Sequence, residues 1–508
     1  MKINMKMNTV ALAVAMCVST ATIAEGINRE EYQALVDRLI ALEGENKKLR
    51  RIENTTASVS PADQSAKSHE HESLVGSNAE YNYKVLDHAE NTNTKQLYQL
   101  QALRDGKIKN KLTLGGQVTA IVNIQKANED SKFGWLMRHP TSSNQIGKDA
   151  SEAVVHSVNL NMTAKLSDDF TAYMEMLYNP EQNFASGSTI TGLPRNNVNM
   201  RRAYILWGNL EKSPVYGSVG KMDIPFGLND TVSPFTNSTN WHSFGGLAYG
   251  AILGYATDDL HMRVMAVQGG AQFRNANTPV GDTKVPSKLN NFAVDVNYNF
   301  DMADDSSLKI GASYQHGTAY CQGYVDTPET AHSTFPAFIP GVTVNTAPQG
   351  VMHFNSCDDN NPGAAVYSRY ENNKLLLIAE YAKTLDQWAG TSNPYIPQFK
   401  AEENTTFTLG ARYSANVGLE QDMDFSAEFS RFEAGASGSP WEKQDQLVLG
   451  ASYFATPSVN LFAEAIVVDG WVPLNFLSGG NPGSEVGTSW ASQSSKTKVL
   501  TFGIQAAF

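Results

Sequence analysis

The sequence predicts an all-β protein: a 16-stranded antiparallel transmembrane β-barrel preceded by a short α-helical coiled coil. Three observations predict it. Sixteen stretches alternate apolar and polar residues with period 2. Their connections alternate between a few residues and roughly ten to forty-five, the asymmetry of an up-and-down barrel with one short rim and one long rim. In the final stretch, 495–508, Leu500, Phe502, Ile504, Ala506 and Phe508 share one face, and Val499, Thr501, Gly503, Gln505 and Ala507 share the other. A greasy strand at a chain end aggregates unless something closes over it, and a closed barrel does so.

Residues 1–24 carry Lys2 and Lys6, an apolar run from Val10 to Val18 and small residues up to Ala24, which reads as a secretory signal peptide. The apolar run is too short to span a bilayer. Cys17 follows Met16, where a lipid-anchored leader wants a small residue. Removing this segment takes the formal charge from −12 to −14, so the mature chain is acidic and nucleic-acid binding is disfavoured. The mature chain keeps Cys321 and Cys357, and export to an oxidising compartment favours one disulfide between them. A mean hydropathy of −0.32 also suits a soluble protein. It fits a barrel equally, because half of each strand faces a polar lumen.

Within residues 25–53, Tyr32, Leu35, Leu39, Leu42, Asn46 and Leu49 recur at spacings of three and four between charged residues, the pattern of a coiled coil. A helix this short is marginal alone in water, so it is expected to form where neighbouring copies supply partners, as a periplasmic homo-oligomerisation element, dimer or trimer. Residues 54–110 form a polar linker with a short helix near 95–103 and with a composition suited to a segment that enters the pore. His69 and His71, beside Glu70 and Glu72, are the weak metal candidates; flexible His–Glu pairs are more often merely solvated.

The barrel occupies 111–508. Its strands are expected at 112–124, 153–166, 169–178, 197–208, 214–222, 246–256, 259–269, 290–300, 306–317, 363–370, 374–383, 403–415, 422–432, 444–454, 457–468 and 495–508. Sixteen strands enclose an aqueous interior rather than a packed core. An even count puts both ends of the barrel, and the coiled coil with them, in the periplasm.

Strand parity assigns the lumen. Leu377, Ala379 and Tyr381 flank Glu380, Phe425 to Phe429 flank Glu428, Leu461 to Ala465 flank Glu464, and Met174 and Met176 flank Glu175. A carboxylate facing lipid is costly, so all four glutamates are expected inside. Arg263, Lys309 and one of Arg201 and Arg202 fall inward on the opposite arc, with Arg412 breaking the segregation. Two readings follow, a transverse field across a solute path or local pairing that stiffens the wall. The stretch 224–243, with Pro225, Phe226 and Trp241, has the length of a loop that folds inward to narrow a pore. The longest outside loop, 319–362, carries both cysteines with Phe335 and Phe338, which reads either as an apolar patch for docking a ligand or subunit or as a lid stapled shut against proteases. No nucleophile–base motif or phosphate-binding Gly loop is present, so no catalytic residue and no cofactor is expected.

The C-terminal strand ending in Phe508 resembles the insertion signal of bacterial outer-membrane barrels. The layout as a whole resembles Gram-negative porins with an N-terminal coiled coil. The segment Arg202-Ala-Tyr-Ile-Leu-Trp-Gly-Asn-Leu-Glu211, followed by Gly220-Lys-Met-Asp-Ile-Pro-Phe-Gly227, is similar to siderophore porins of the legiobactin-receptor type. That resemblance implies uptake of ferric siderophores across the outer membrane without a globular plug domain. The alternatives are a general or nutrient/anion-selective porin, or a non-transporting outer-membrane anchor or adhesin.

Overall fold

The computed structural model describes residues 74–128, 149–178, 198–268, 272–273, 289–303, 305–318, 320, 360–387, 398, 400, 402–433, 435–439, 442–470 and 495–508. The signal peptide, the coiled coil over 25–53, His69, His71, Cys321, Cys357, Phe335 and Phe338 lie outside the described residues.

Sixteen strands close a barrel: β1 (Leu112–Ala127), β2 (Asp149–Lys165), β3 (Phe170–Tyr178), β4 (Val198–Gly208), β5 (Val215–Asp223), β6 (Gly246–Ala256), β7 (Leu260–Gln268), β8 (Leu289–Met302), β9 (Ser306–Gln315), β10 (Gly363–Glu371), β11 (Leu375–Thr384), β12 (Thr405–Ala415), β13 (Met423–Glu433), β14 (Lys443–Thr456), β15 (Val459–Gly470) and β16 (Ser495–Ala507). Each pairs antiparallel with its sequence neighbours. β16 closes on β1, from Thr497 opposite Ala127 to Ala507 opposite Gln117. Phe508 and Gly116 then exchange both backbone hydrogen bonds, so the last residue belongs to the seam.

The pleat puts successive side chains on opposite faces, and burial follows it. In β16, Leu500, Phe502 and Ile504 are exposed while Thr497, Val499, Thr501 and Gln505 are buried. The outer wall therefore carries a continuous apolar surface, with Leu253, Val264, Ile310 and Leu409 among its exposed members. Trp207, Phe170, Tyr413 and Phe425 stand exposed toward the short-turn rim. Apolar area on this scale is stable against lipid rather than water, and interfacial aromatics accompany it in spanning barrels.

The core lies inside the barrel rather than between layers. Among the described residues two helices precede β1: α1 (Ala79–Leu86), capped by the Asn78 side chain accepting from Tyr81 N, and α2 (Lys95–Arg104). The helix expected near 95–103 is α2. Val75 and Gly76 first pair in parallel with Leu112 and Thr113 at the foot of β1. A third helix, α3 (Thr239–Phe244), belongs to the β5–β6 connection. Tyr81, Val85, Leu86 and Leu100 from the helices join Tyr173, Tyr204 and Tyr216 from the wall and Phe226 and Phe244 from that connection in one buried cluster.

Candidate functional site

The lumen holds two stacked layers, and three wall glutamates and two wall arginines help to seat them. The upper layer is the connection 224–245, every residue of which is buried except the half-buried Pro234. Its Leu228 and Asn229 amides donate to Glu380 at 2.7 and 2.9 Å. The Thr231 hydroxyl and Val232 amide donate to Glu428 at 2.6 and 2.9 Å. The Phe235 and Thr236 amides donate to Glu464 at 2.8 and 2.9 Å.

This register has a geometric cause. Glu380, Glu428 and Glu464 stand on β11, β13 and β15, so successive glutamates are two strands apart, about 10 Å around the wall. Three extended residues span about the same distance. The loop therefore advances one anchor for every second strand. The strands between supply room: Gly410 lies opposite Glu428 in the β12–β13 ladder and Gly450 opposite Glu464 in the β14–β15 ladder. A Cβ at Gly410 would stand 2.7 Å from Val232, and one at Gly450 would stand 2.6 Å from Pro234. These small inward residues seat the loop. Phe226 stacks on Phe244 at 5.8 Å between ring centres and Phe235 on Phe462 at 5.1 Å; Pro225 and Trp241 are buried as well.

The lower layer is the segment 78–105, near the short-turn rim. Tyr81 Oη meets Thr163 Oγ1 at 2.8 Å, and Asn82 Nδ2 donates to the Phe508 carbonyl at 2.8 Å. Across the lumen, Glu90 is paired with Arg412 at 2.6 Å and Arg369 at 2.9 Å. Burial opposes ionisation of Glu90, but Arg412 and Arg369 together hold its carboxyl well below the usual carboxylate range. Arg369 also reaches Asp230 of the loop at 3.2 Å. The layers touch directly: Asn93 Nδ2 donates to the carbonyls of Phe226 and Gly227 at 2.8 and 2.7 Å, Thr92 Oγ1 to Asp230 at 3.0 Å, and Thr231 N to the Ala89 carbonyl at 2.8 Å.

The remaining sequence-selected charges, Lys309 apart, pair locally. Arg202 binds Asp223 in a bidentate contact at 2.6 and 2.9 Å and Glu175 at 2.6 Å. Both Arg201 and Arg202 are buried, which alternation alone forbids. A bulge explains it: Glu175 is opposite Arg202 and Met176 opposite Met200, leaving Arg201 as the extra residue. Arg201 then stands 3.9 Å from Glu175. Arg263 binds Asp295 at 2.6 Å and donates to the Asn93 carbonyl, and Lys309 lies opposite Arg369 in the ladder. Acid and base thus do not face each other across a solute path as a transverse field requires. Apart from Lys309, which faces the like-charged Arg369, the charges named here are held by their own neighbours or by an inserted layer.

Sequence reasoning did not single out Asn82, Glu90, Asn93, Asp230 or Arg369. The pairing of Gly with Glu on facing strands was the available signal for the loop seat.

No protein-family model matches the chain. Among curated proteins, a UPF0422 protein of Coxiella burnetii is 26% identical over 275 residues, 50% of this chain and 50% of that protein; the match thus spans about half the length of the relative. Among solved structures, the outer membrane channel DcaP of Acinetobacter baumannii aligns at 13% identity and a TM-score of 0.44, covering 78% of this chain and 97% of that one. The anion-selective porin of Comamonas acidovorans aligns at 12% and 0.43, covering 78% and 99%. OprB of Pseudomonas putida aligns at 11% and 0.45, covering 78% and 94%. Likenesses this distant carry no statement about solute or activity.

Proposed function

We propose that this chain is a channel of a bacterial outer membrane that passes a small solute, with the short-turn rim in the periplasm. The observation that carries the reading is a closed 16-stranded barrel, apolar outside, whose lumen narrows around a connection pinned to three wall glutamates. The solute we favour is a ferric siderophore, on the similarity of 202–211 and 220–227 to siderophore porins. Those stretches build β4, β5 and the entry to the inward loop. The coiled coil is proposed to join copies in the periplasm, which cross-linking of the mature protein would resolve as a dimer or a trimer.

Single-channel recording in planar bilayers tests the reading. Conductance steps that a ferric siderophore interrupts support it. Steps indifferent to the siderophore move the solute to a general, nutrient or anion class. A second reading, a non-conducting anchor, draws on the two layers that fill the lumen; it wins if no steps appear even after residues 78–105 are removed from a folded barrel.

A further inference from the structure

We propose that residues 78–105 are a built-in gate, a two-helix segment that closes the short-turn half of the lumen and is held there by an ionic latch at Glu90. The inference rests on the channel reading above.

The segment lies across the lumen rather than on its rim. It is bonded to β2 and the chain end on one side, through Tyr81 and Asn82, and to β10 and β12 on the other, through Glu90. A wall-to-wall position is what a closure needs and what a simple linker to β1 does not.

The hold is polar where it meets the far wall. Glu90 gathers Arg369 and Arg412 in a half-buried cluster, and removing the carboxylate leaves two like-charged guanidiniums with nothing to tie them to the segment. The seat is also incompletely satisfied: Gln96 Nε2 and Tyr98 Oη on α2 are buried with no hydrogen-bond partner among the described residues. Water entering an opened lumen supplies those partners, so the closed state is less favoured than its contact area suggests. Helices of 8 and 10 residues do not persist alone in water, so leaving the seat means melting, and an unfolded strand of chain leaves room to pass. Gly106, at φ +67°, turns the chain after α2 toward β1 and keeps the released segment tethered to the rim.

The test is single-channel recording on the full mature chain in three forms, each first shown to be a folded barrel by heat-modifiable gel mobility. The native protein is expected to open rarely. Glu90→Ala is expected to raise the open probability at least tenfold. The third form, Asn82→Cys with Gly115→Cys and with Cys321→Ser and Cys357→Ser, joins positions where a Cβ at 115 would lie 2.0 Å from Asn82 Cγ. Oxidised, it is expected to stay shut; reduced, it lacks the Asn82 contacts and is expected to open at least as often as the native protein. Equal conductance in all three forms, with no response to reductant, overturns the gate and leaves the channel standing. Silence in every form, including Glu90→Ala and the reduced double cysteine, sinks the channel reading and the gate with it. If Glu90→Ala fails to fold, the redox-switched pair decides alone.

Discussion

Lys95 sits on α2 inside the lumen, 1% exposed, and its ammonium donates to the carbonyls of Lys84, Asp87 and Glu90. Burial pushes its pKa down to about 8, against the pull of Asp87; Arg202 adds to the depression, while Asp223 and Glu175 oppose it. In a solvated, open segment the same group titrates near its ordinary value, roughly 10.4. Below pH 8 both states hold the proton and the closed state bears the whole burial cost. Between about 8 and 10 the closed state sheds its proton first, and the cost is withdrawn. Closure therefore tightens as pH rises, and open probability is expected to fall by up to about tenfold per pH unit over that window. Recording at pH 7 and pH 9.5 checks the direction, and Lys95→Met is expected to flatten the response. Glu464 makes the matching case for the upper layer. Glu464→Ala leaves the Phe235 and Thr236 amides without their acceptor, at about 1–3 kcal/mol each. Hydrogen exchange at those amides is expected to speed up, and Glu464→Gln, which keeps an acceptor, is expected to exchange more slowly than Glu464→Ala.

At the scale of elements, the inward loop fits the wall because glycines on β12 and β14 stand beside glutamates on β13 and β15. Gly410→Leu puts side-chain atoms where Val232 and Ile378 already are, and overpacking of this kind costs about 1–3 kcal/mol. A lower thermal midpoint is expected, and Val232→Ala on the same chain is expected to recover part of it. No recovery would mean that the glycine serves the strand and not the loop. This seat also marks how far the sequence could be read. The inward side of each glutamate was legible, because lipid penalises a carboxyl and the pleat leaves only one alternative. What each glutamate holds was not, because the register of an irregular loop leaves no period in the sequence. Arg201 and Arg202 failed for a related reason, since a bulge breaks the alternation on which parity depends. Helix α1 was missed altogether. It runs only from Ala79 to Leu86, about two turns, too short for a 3.6-residue period to stand out from the polar stretch around it, and its Asn82 is buried as fully as its Leu86.

Across the whole molecule, the seam, the segment 78–105 and the loop 224–245 form one connected fill. Asn82 holds the chain end through the Phe508 carbonyl, Glu90 and Asp230 share Arg369, and Asn93 takes the loop carbonyls of Phe226 and Gly227. Two layers that share partners do not lose stability independently, whereas distant and unconnected sites add within about 0.3–0.5 kcal/mol. A double-mutant cycle distinguishes the cases. Glu90→Ala loosens the lower layer and Glu464→Ala the upper, and the two carboxyls bind different groups. If the layers are coupled, the double variant departs from the sum of the single losses by more than about 0.5 kcal/mol, read from the thermal midpoint of the folded barrel. The sign carries mechanism. A smaller loss than the sum means that releasing one layer has already freed the other, so solute arriving at the loop from the long-loop side can unseat the helices below. Strict additivity would confine the loop to narrowing the lumen and leave the helices to respond only to what reaches them from the short-turn rim.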